Sequence, residues 1–216
     1  MFNPDNVYVI NLLRRPDRLA RFKNRCPLVD YQIINGFDAL FPNNETHEEL
    51  ILFNSNKFDK LHFIGEKGVW ISHLRIWKKI INENIDTALI LEDDCIFSDC
   101  FSEIFDNINI NDFDIIYIGG RFHDKFIMSN GIKISANIAK HNFSEKHDGW
   151  ELDRTTHGYI LSNHGAKILV DMFEKSDYVN PVDTFIMHTF RDLNISIYNT
   201  CPLICYSPLI SDSDIR

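Results

Sequence analysis

ALILEDDCIF, residues 88–97, decides how this chain is read: four apolar residues, Ala88 to Leu91, run straight into Glu92, Asp93 and Asp94. The apolar part reads as a buried strand. Its acidic end needs a reason, because two like charges about 5 Å apart repel by about 3 kcal/mol at an effective dielectric of about 20. Something positive is expected there. In an extended segment Glu92 and Asp94 point to one side, about 6.6 Å apart along the backbone, and Asp93 to the other. Two carboxylates on one side can hold a hard divalent cation, Mg²⁺ or Mn²⁺, while phosphate oxygens of a ligand complete its shell. A solvated strand end or a helix cap is the plainer reading of the same triplet.

Working outward, VYVINL (7–12) has little alternation, which suits a strand covered on both faces as in a parallel sheet. RRPDRLARFKNR (14–25) follows as a helix, with Pro16 in its first turn and the apolar Leu19 and Phe22 spaced three apart. YQIING (31–36) is a second strand, and residues 37–60 read as an irregular surface excursion. GEKGVWISHLRIWKKIINEN (65–84) is a strong helix, because Trp70, Leu74, Trp77 and Ile81 form an apolar stripe that Lys78 and Lys79 avoid. Ser72 and His73 fall on its polar side.

Beyond TALILE (87–92) come a mostly acidic linker and FDIIYIGG (113–120), another apolar run closed by glycines. Residues 121–156 are poor in pattern. HGYILSNHGAKILVDMFEK (157–175) gives a short strand, Asn163 as N-cap, and a helix with Ile168, Leu169, Met172 and Phe173 inward. NPVDTFIMHTFRDL (180–193) is a helix opened by Pro181 and Asp183, and ISIYNTCPLICY (195–206) holds late strands. No repeat or low-complexity linker interrupts this order, so one α/β domain is expected.

A chain of 216 residues, 44% hydrophobic and 12% aromatic, has ample material for one sizeable core. The net charge of −9, with no block rich in Lys and Arg, argues against nucleic acid as a partner. No apolar run approaches the roughly 18 residues of a membrane span, and the first residues lack the features of a signal peptide. A cytoplasmic location, in a bacterium or a virus-infected host cell, is expected. Five cysteines without a C-x-x-C pair read as reduced thiols rather than a disulfide framework or a zinc site.

Strands alternating with helices favour a mainly parallel sheet with right-handed crossovers, in which ligands bind beyond the carboxyl ends of the strands. Asn11 to Arg15, Glu92 to Asp94 and Gly119 to Arg121 lie at such ends. Three loops therefore converge on one expected site.

The ordered set VINLLRRPDR, GEKGVWISH, ALILEDD, FDIIYIGG, HGYILSNHGAK and NPVDTFI, spanning about Val7 to Ile186, resembles glycosyltransferase family 25. That family includes lipooligosaccharide galactosyltransferases and collagen hydroxylysine glycosyltransferases. The resemblance implies a GT-A-like single domain with a mainly parallel, Rossmann-like central sheet flanked by helices. Its nucleotide-binding part would span about 1–120 and its acceptor part about 121–216. It implies transfer of a hexose, galactose or glucose, from a UDP-sugar to a hydroxyl of a glycan or hydroxylysine-type acceptor, with Mn²⁺ or Mg²⁺. Carried over by position, Asp94 and Glu92 are metal contacts, and Asn11, Arg15, Arg18, Gly68, Ser72, His73, Glu92 and Asp93 lie on the donor side. Guanidinium forks near a helix N-terminus suit a diphosphate, although each arginine also fits a surface role on its helix. Gly65 and Gly68 stand where backbone can pass close to a ligand; a glycine-rich entry into a core helix, with His73 in a structural hydrogen bond, fits the same residues.

Inverting transfer needs a base on the face opposite the leaving group. Asp183 resembles an Asp of the corresponding family motif and is the expected base; it also fits simple complementation of a helix dipole. Asp148, Glu151 and Asp153 are rivals. Trp150, His157 and Gly158 are placed on the acceptor side, where Trp150 either stacks on a sugar or anchors a loop. A G-x-S-x-G elbow and a Walker loop are both absent, which disfavours acyl-enzyme chemistry and NTP hydrolysis. A nucleotidyltransferase and a non-catalytic relative that binds nucleotide sugars or glycans are the alternatives.

Overall fold

In the computed structural model, residues 6–42, 45–110, 112–120, 131–141 and 155–206 are described. The first strand, β1 (Asn6–Asn11), lies between β2 (Gln32–Asn35) and β3 (Thr87–Glu92), parallel to both. Helix α1 (Pro16–Arg25) makes the crossover from β1 to β2. The rest of the large sheet comes from β5 (Ile115–Tyr117), β7 (Gly131–Lys133), β8 (Ile138–His141), β9 (Gly158–Ser162) and β10 (Ile197–Thr200). Its order is β2-β1-β3-β9-β5-β10-β8-β7. A second sheet, β4-β11-β6, is built from β4 (Ile96–Phe97), β6 (Gly119–Gly120) and β11 (Cys205–Tyr206).

The expected α/β architecture is present, with one feature the pattern did not show. Strand β8 runs antiparallel to β10 and β7, and β9 runs antiparallel to both of its neighbours, β3 and β5, so the sheet is mixed at its centre and at one edge. The β9 sequence, GYILS, is as apolar as a parallel strand because it is covered on both faces. Burial on two faces removes the alternation that would have marked it.

Helices cover both faces. On one side α3 (Ile64–Asn82), α5 (Asn163–Lys175) and α6 (Val182–Asp192) bury Trp70, Trp77, Leu169 and Phe190 against Tyr8, Ile90, Tyr117 and Tyr159. On the other, α1 and α4 (Phe101–Asp106) bury Phe22, Phe101, Ile104 and Phe105 against Val9, Leu89, Leu91 and Ile160. Successive strand residues thus serve opposite cores, with Ile90 facing α3 while Leu89 and Leu91 face α4. Each large apolar side chain so buried contributes about 1.5–3 kcal/mol.

Several local expectations change. The excursion at 37–60 contains α2 (His47–Phe53), started by a capping box in which Thr46 and Glu49 satisfy each other's backbone. The acidic linker contains α4. Ser162, not Asn163, caps α5, its hydroxyl accepting from the Gly165 amide. On α1 the inward pair is Arg18 and Phe22, four apart, with Leu19 only half-buried. Ser72 and His73 are buried, because α3 is wrapped by the sheet, by α5 and α6, and by the chain that follows β2. Among the described residues, no helix is long and apolar enough to cross a membrane.

Candidate active site

Topology explains why the acidic strand end is crowded. Parallel β1 and β3 finish at the same edge, so Asn11 stands beside the Glu92 to Asp94 turn. Antiparallel β9 starts at that edge, with Gly158 paired to Leu91, and so delivers its lead-in residues Thr155, Thr156 and His157 to the same place. The Glu92 amide donates to the His157 carbonyl, and the Asp93 amide to the Ile10 carbonyl, which fixes the turn between the two flanking segments.

The three carboxylates diverge. Asp93, nearly fully buried, accepts from Asn11 Nδ2 at 2.5 Å and pairs with Arg18, while Arg25 donates to its carbonyl. The same Arg18 guanidinium nitrogen lies 3.0 Å from Asp94 Oδ2. Glu92 Oε1 accepts from the Thr156 hydroxyl at 2.5 Å and faces His73 Nε2 at 3.4 Å. Glu92, Asp94 and His157 then present one ligand atom each, all within 4.8 Å of one another.

Electrostatics separates the carboxyls further. Burial alone raises the Glu92 carboxyl, but His157, His73 and Thr156 outweigh it and hold Glu92 below the usual carboxylate range. Burial lifts Asp93 to about 6 against the pull of Arg18 and Asn11. Asp94 is also raised, chiefly by burial and by Glu92, with His157 and Arg18 opposing.

A divalent cation fits this set by two observations. Asp94 Oδ1 is buried without a hydrogen-bond partner, and His157 Nε2 stands 3.6 Å from it, too far for a hydrogen bond. A buried oxygen left so costs about 1–3 kcal/mol. Two carboxylates and an imidazole are also a donor set that suits Mn²⁺ or Mg²⁺ with room for substrate oxygens. The Thr155 hydroxyl meets His157 Nδ1 at 2.5 Å, so the other ring nitrogen, Nε2, is the one turned toward Asp94.

The remaining expected residues lie as follows. Arg15 forms an ion pair with Asp17 at the start of α1, and its carbonyl accepts from Asn11. Gly68 and Ser72 tie α3 to the loop after β2: a Cβ on Gly68 would lie 2.7 Å from the Phe37 carbonyl oxygen. The Ser72 hydroxyl accepts from the Phe37 amide and donates to the Gly68 carbonyl. The close approach that Gly68 permits is therefore to the chain itself. Gly158 likewise leaves space that Cys205 Sγ fills. His157, expected on the acceptor side, stands in the acidic cluster. Asp183 opens α6 with its Oδ1 accepting from the Thr184 amide at 2.7 Å. Trp150, Asp148, Glu151 and Asp153 lie outside the described residues.

Sequence reasoning missed His157 and Thr156 as neighbours of Glu92, for want of any signal of β9's direction. It placed Arg18 at the nucleotide rather than against Asp93. There a signal existed, since Arg18 shares a helix face with buried Phe22.

Fold and site together define an α/β protein with an acidic, cation-competent site beyond the carboxyl ends of its parallel strands β1 and β3. Residues 5–186 match glycosyltransferase family 25 (LPS biosynthesis protein), and the chain belongs to that family. Among relatives, procollagen galactosyltransferase 1-B of Xenopus laevis is 27% identical over 98% of this chain and 34% of its own length. The lipooligosaccharide biosynthesis protein lex-1 of Haemophilus influenzae is 30% identical over 67% of this chain and 50% of its own. The chain spans about a third of the length of the procollagen galactosyltransferases it matches. Among solved structures, a glycosyltransferase involved in glycosylation of the PBCV-1 major capsid aligns over 96% of this chain and 93% of its own, with 10% identity and a TM-score of 0.46. The galactosyltransferase LgtC aligns over 93% and 72%, with 12% identity and a TM-score of 0.45.

Proposed function

We propose that this chain is a metal-dependent hexosyltransferase that moves galactose or glucose from a UDP-sugar to a hydroxyl of a glycan or hydroxylysine-type acceptor, with inversion. The cluster of Glu92, Asp94 and His157 at the end of β3 carries this reading. Membership of family 25 supports a nucleotide-sugar donor and a glycan acceptor. The names of the relatives, a procollagen galactosyltransferase and a lipooligosaccharide biosynthesis protein, support galactose and both kinds of acceptor.

Glu92, Asp94 and His157 would hold Mn²⁺ or Mg²⁺. The bound cation supplies positive charge against the charge that develops on the departing diphosphate. Arg18 keeps Asp94 in place through the ion pair that also joins Asp93, so one guanidinium organises the whole turn. Asp183 is the base proposed for the acceptor hydroxyl, which must lose a proton as the new glycosidic bond forms. Its Thr184 contact fixes the direction of the carboxylate at the start of α6. Trp150 remains a proposed acceptor contact.

The test is calorimetric titration of UDP into the protein with and without Mn²⁺, repeated on Asp94→Ala. Binding that requires Mn²⁺ and disappears in a folded Asp94→Ala variant is expected. Binding of equal strength with and without the ion would sink the metal assignment. Asp183→Asn separates the base from the donor site: it should bind UDP normally and lose about 10²–10⁴-fold in transfer rate.

A further inference from the structure

Three fully buried side chains behind Glu92 form a hydrogen-bonded series whose direction is set from its carboxylate end. Trp77 Nε1 donates to the Tyr159 hydroxyl at 2.9 Å, the Tyr159 hydroxyl meets His73 Nδ1 at 2.8 Å, and His73 Nε2 faces Glu92 Oε1 at 3.4 Å. Trp77, Tyr159 and His73 are each 0% exposed, so water does not substitute for any of these partners. His73 and Trp77 are four apart on α3 and share a face, while β9 turns Tyr159 toward that face.

The donor and acceptor inventory of these groups sets the direction. The ionised Glu92 carboxylate can only accept, so a neutral His73 ring that faces it does so with Nε2–H and leaves Nδ1 as the acceptor. The Tyr159 hydroxyl then gives its proton to Nδ1, and its oxygen accepts from Trp77, whose indole Nε1–H can only donate.

We propose that Trp77 and Tyr159 lock His73 as its Nε2–H tautomer and that His73 thereby orients Glu92 for the cation. The inference rests on the metal reading of Glu92 given above. Both donors to Glu92, Thr156 and His73, fall on Oε1, which leaves Oε2 as the oxygen without a protein donor among the described residues. His73 is thus a positioning residue that acts through Glu92. Partners of this kind commonly change metal affinity by about 10–100-fold.

The experiment has two arms. Long-range ¹H–¹⁵N correlation on ¹⁵N-histidine-labelled protein at neutral pH, with His73 assigned from the His73→Gln variant, reads the tautomer without any metal. An unprotonated Nδ1 and a protonated Nε2 are expected; an Nδ1–H tautomer, an even mixture or an imidazolium overturns the proposal. In the second arm Tyr159→Phe, which keeps the ring and removes the hydroxyl, is checked for folding by circular dichroism and titrated with Mn²⁺. Affinity about tenfold weaker than wild type is expected. Unchanged affinity in the folded variant overturns the positioning role. Wild-type protein that binds no Mn²⁺ would instead remove the metal reading of the site, and the histidine spectrum would still decide the hydrogen-bond chain by itself.

Discussion

Arg18 reaches Asp93 and Asp94 from the first turn of α1, and all three side chains are largely shielded from water. Removing the guanidinium leaves two buried carboxylates without their cationic partner. Arg18→Met should lower stability by about 3–5 kcal/mol in urea denaturation, and adding Asp93→Asn should restore part of that loss. Asp93 itself gives a pH signature. Its carboxyl is lifted in the folded protein from 3.8 to about 6, so the neutral form favours folding. That contribution is complete below about pH 4 and is lost as pH rises to about 6, a swing of about 3 kcal/mol. Glu92 acts in the opposite sense, since its lowered carboxyl stabilises above its ordinary value and the gain is lost as pH falls. The two windows barely overlap. Asp94, also raised by burial, adds in the same sense as Asp93. In metal-free protein, Asp93→Asn should therefore lessen the slope of the stability profile between pH 4 and 6 and leave the acid limb unchanged; a profile of unaltered slope would show that burial of Asp93 is not its cause.

Helix α2 shows how an element can be held with little core behind it. None of its residues is fully buried, yet Thr46 and Glu49 close a capping box at its start, and Arg75 of α3 reaches both Glu45 and Glu49. Thr46→Ala should therefore cost about 1 kcal/mol, read as a fall of about 2–4 °C in melting temperature. An unchanged melting temperature would show that the Arg75 pairs alone hold the helix. The Thr-x-x-Glu signature was present in the sequence at 46–49, but the surrounding residues have no apolar period, and the segment read as a surface excursion. Helix α3 was legible for the opposite reason: Trp70, Leu74 and Trp77 recur at helical spacing, and all three are buried. The existence of β9 was legible as well, though its direction was not. A strand covered on both faces shows no alternation, and its direction depends on the long segment that joins it to β5. The candidate site was half-visible as a result. Glu92 and Asp94 could be read from ALILEDD, while His157 joins them only because β9 runs against β3.

At the scale of the molecule, the cluster is a property of the folded state alone. Glu92 ends β3, Asp94 lies in the turn after it, and His157 precedes β9, 63 residues later in sequence than Asp94. An unfolded chain does not bring these groups together, so a cation held by all three must stabilise the fold by linkage. At a free Mn²⁺ concentration about 100 times its dissociation constant, that gain is about 2.7 kcal/mol. For a chain of this size it corresponds to a rise of about 5–10 °C in melting temperature. The net charge of −9 supplies a competing explanation, because any divalent ion relieves self-repulsion across an acidic surface. The two effects differ in their dependence on position. Site binding should vanish in Asp94→Ala and persist when an exposed acid far from the turn, Asp171 on α5, is replaced by Asn. General screening should treat the two variants alike, and a melting temperature that Mn²⁺ raises equally in both would assign the effect to the surface rather than to the cluster.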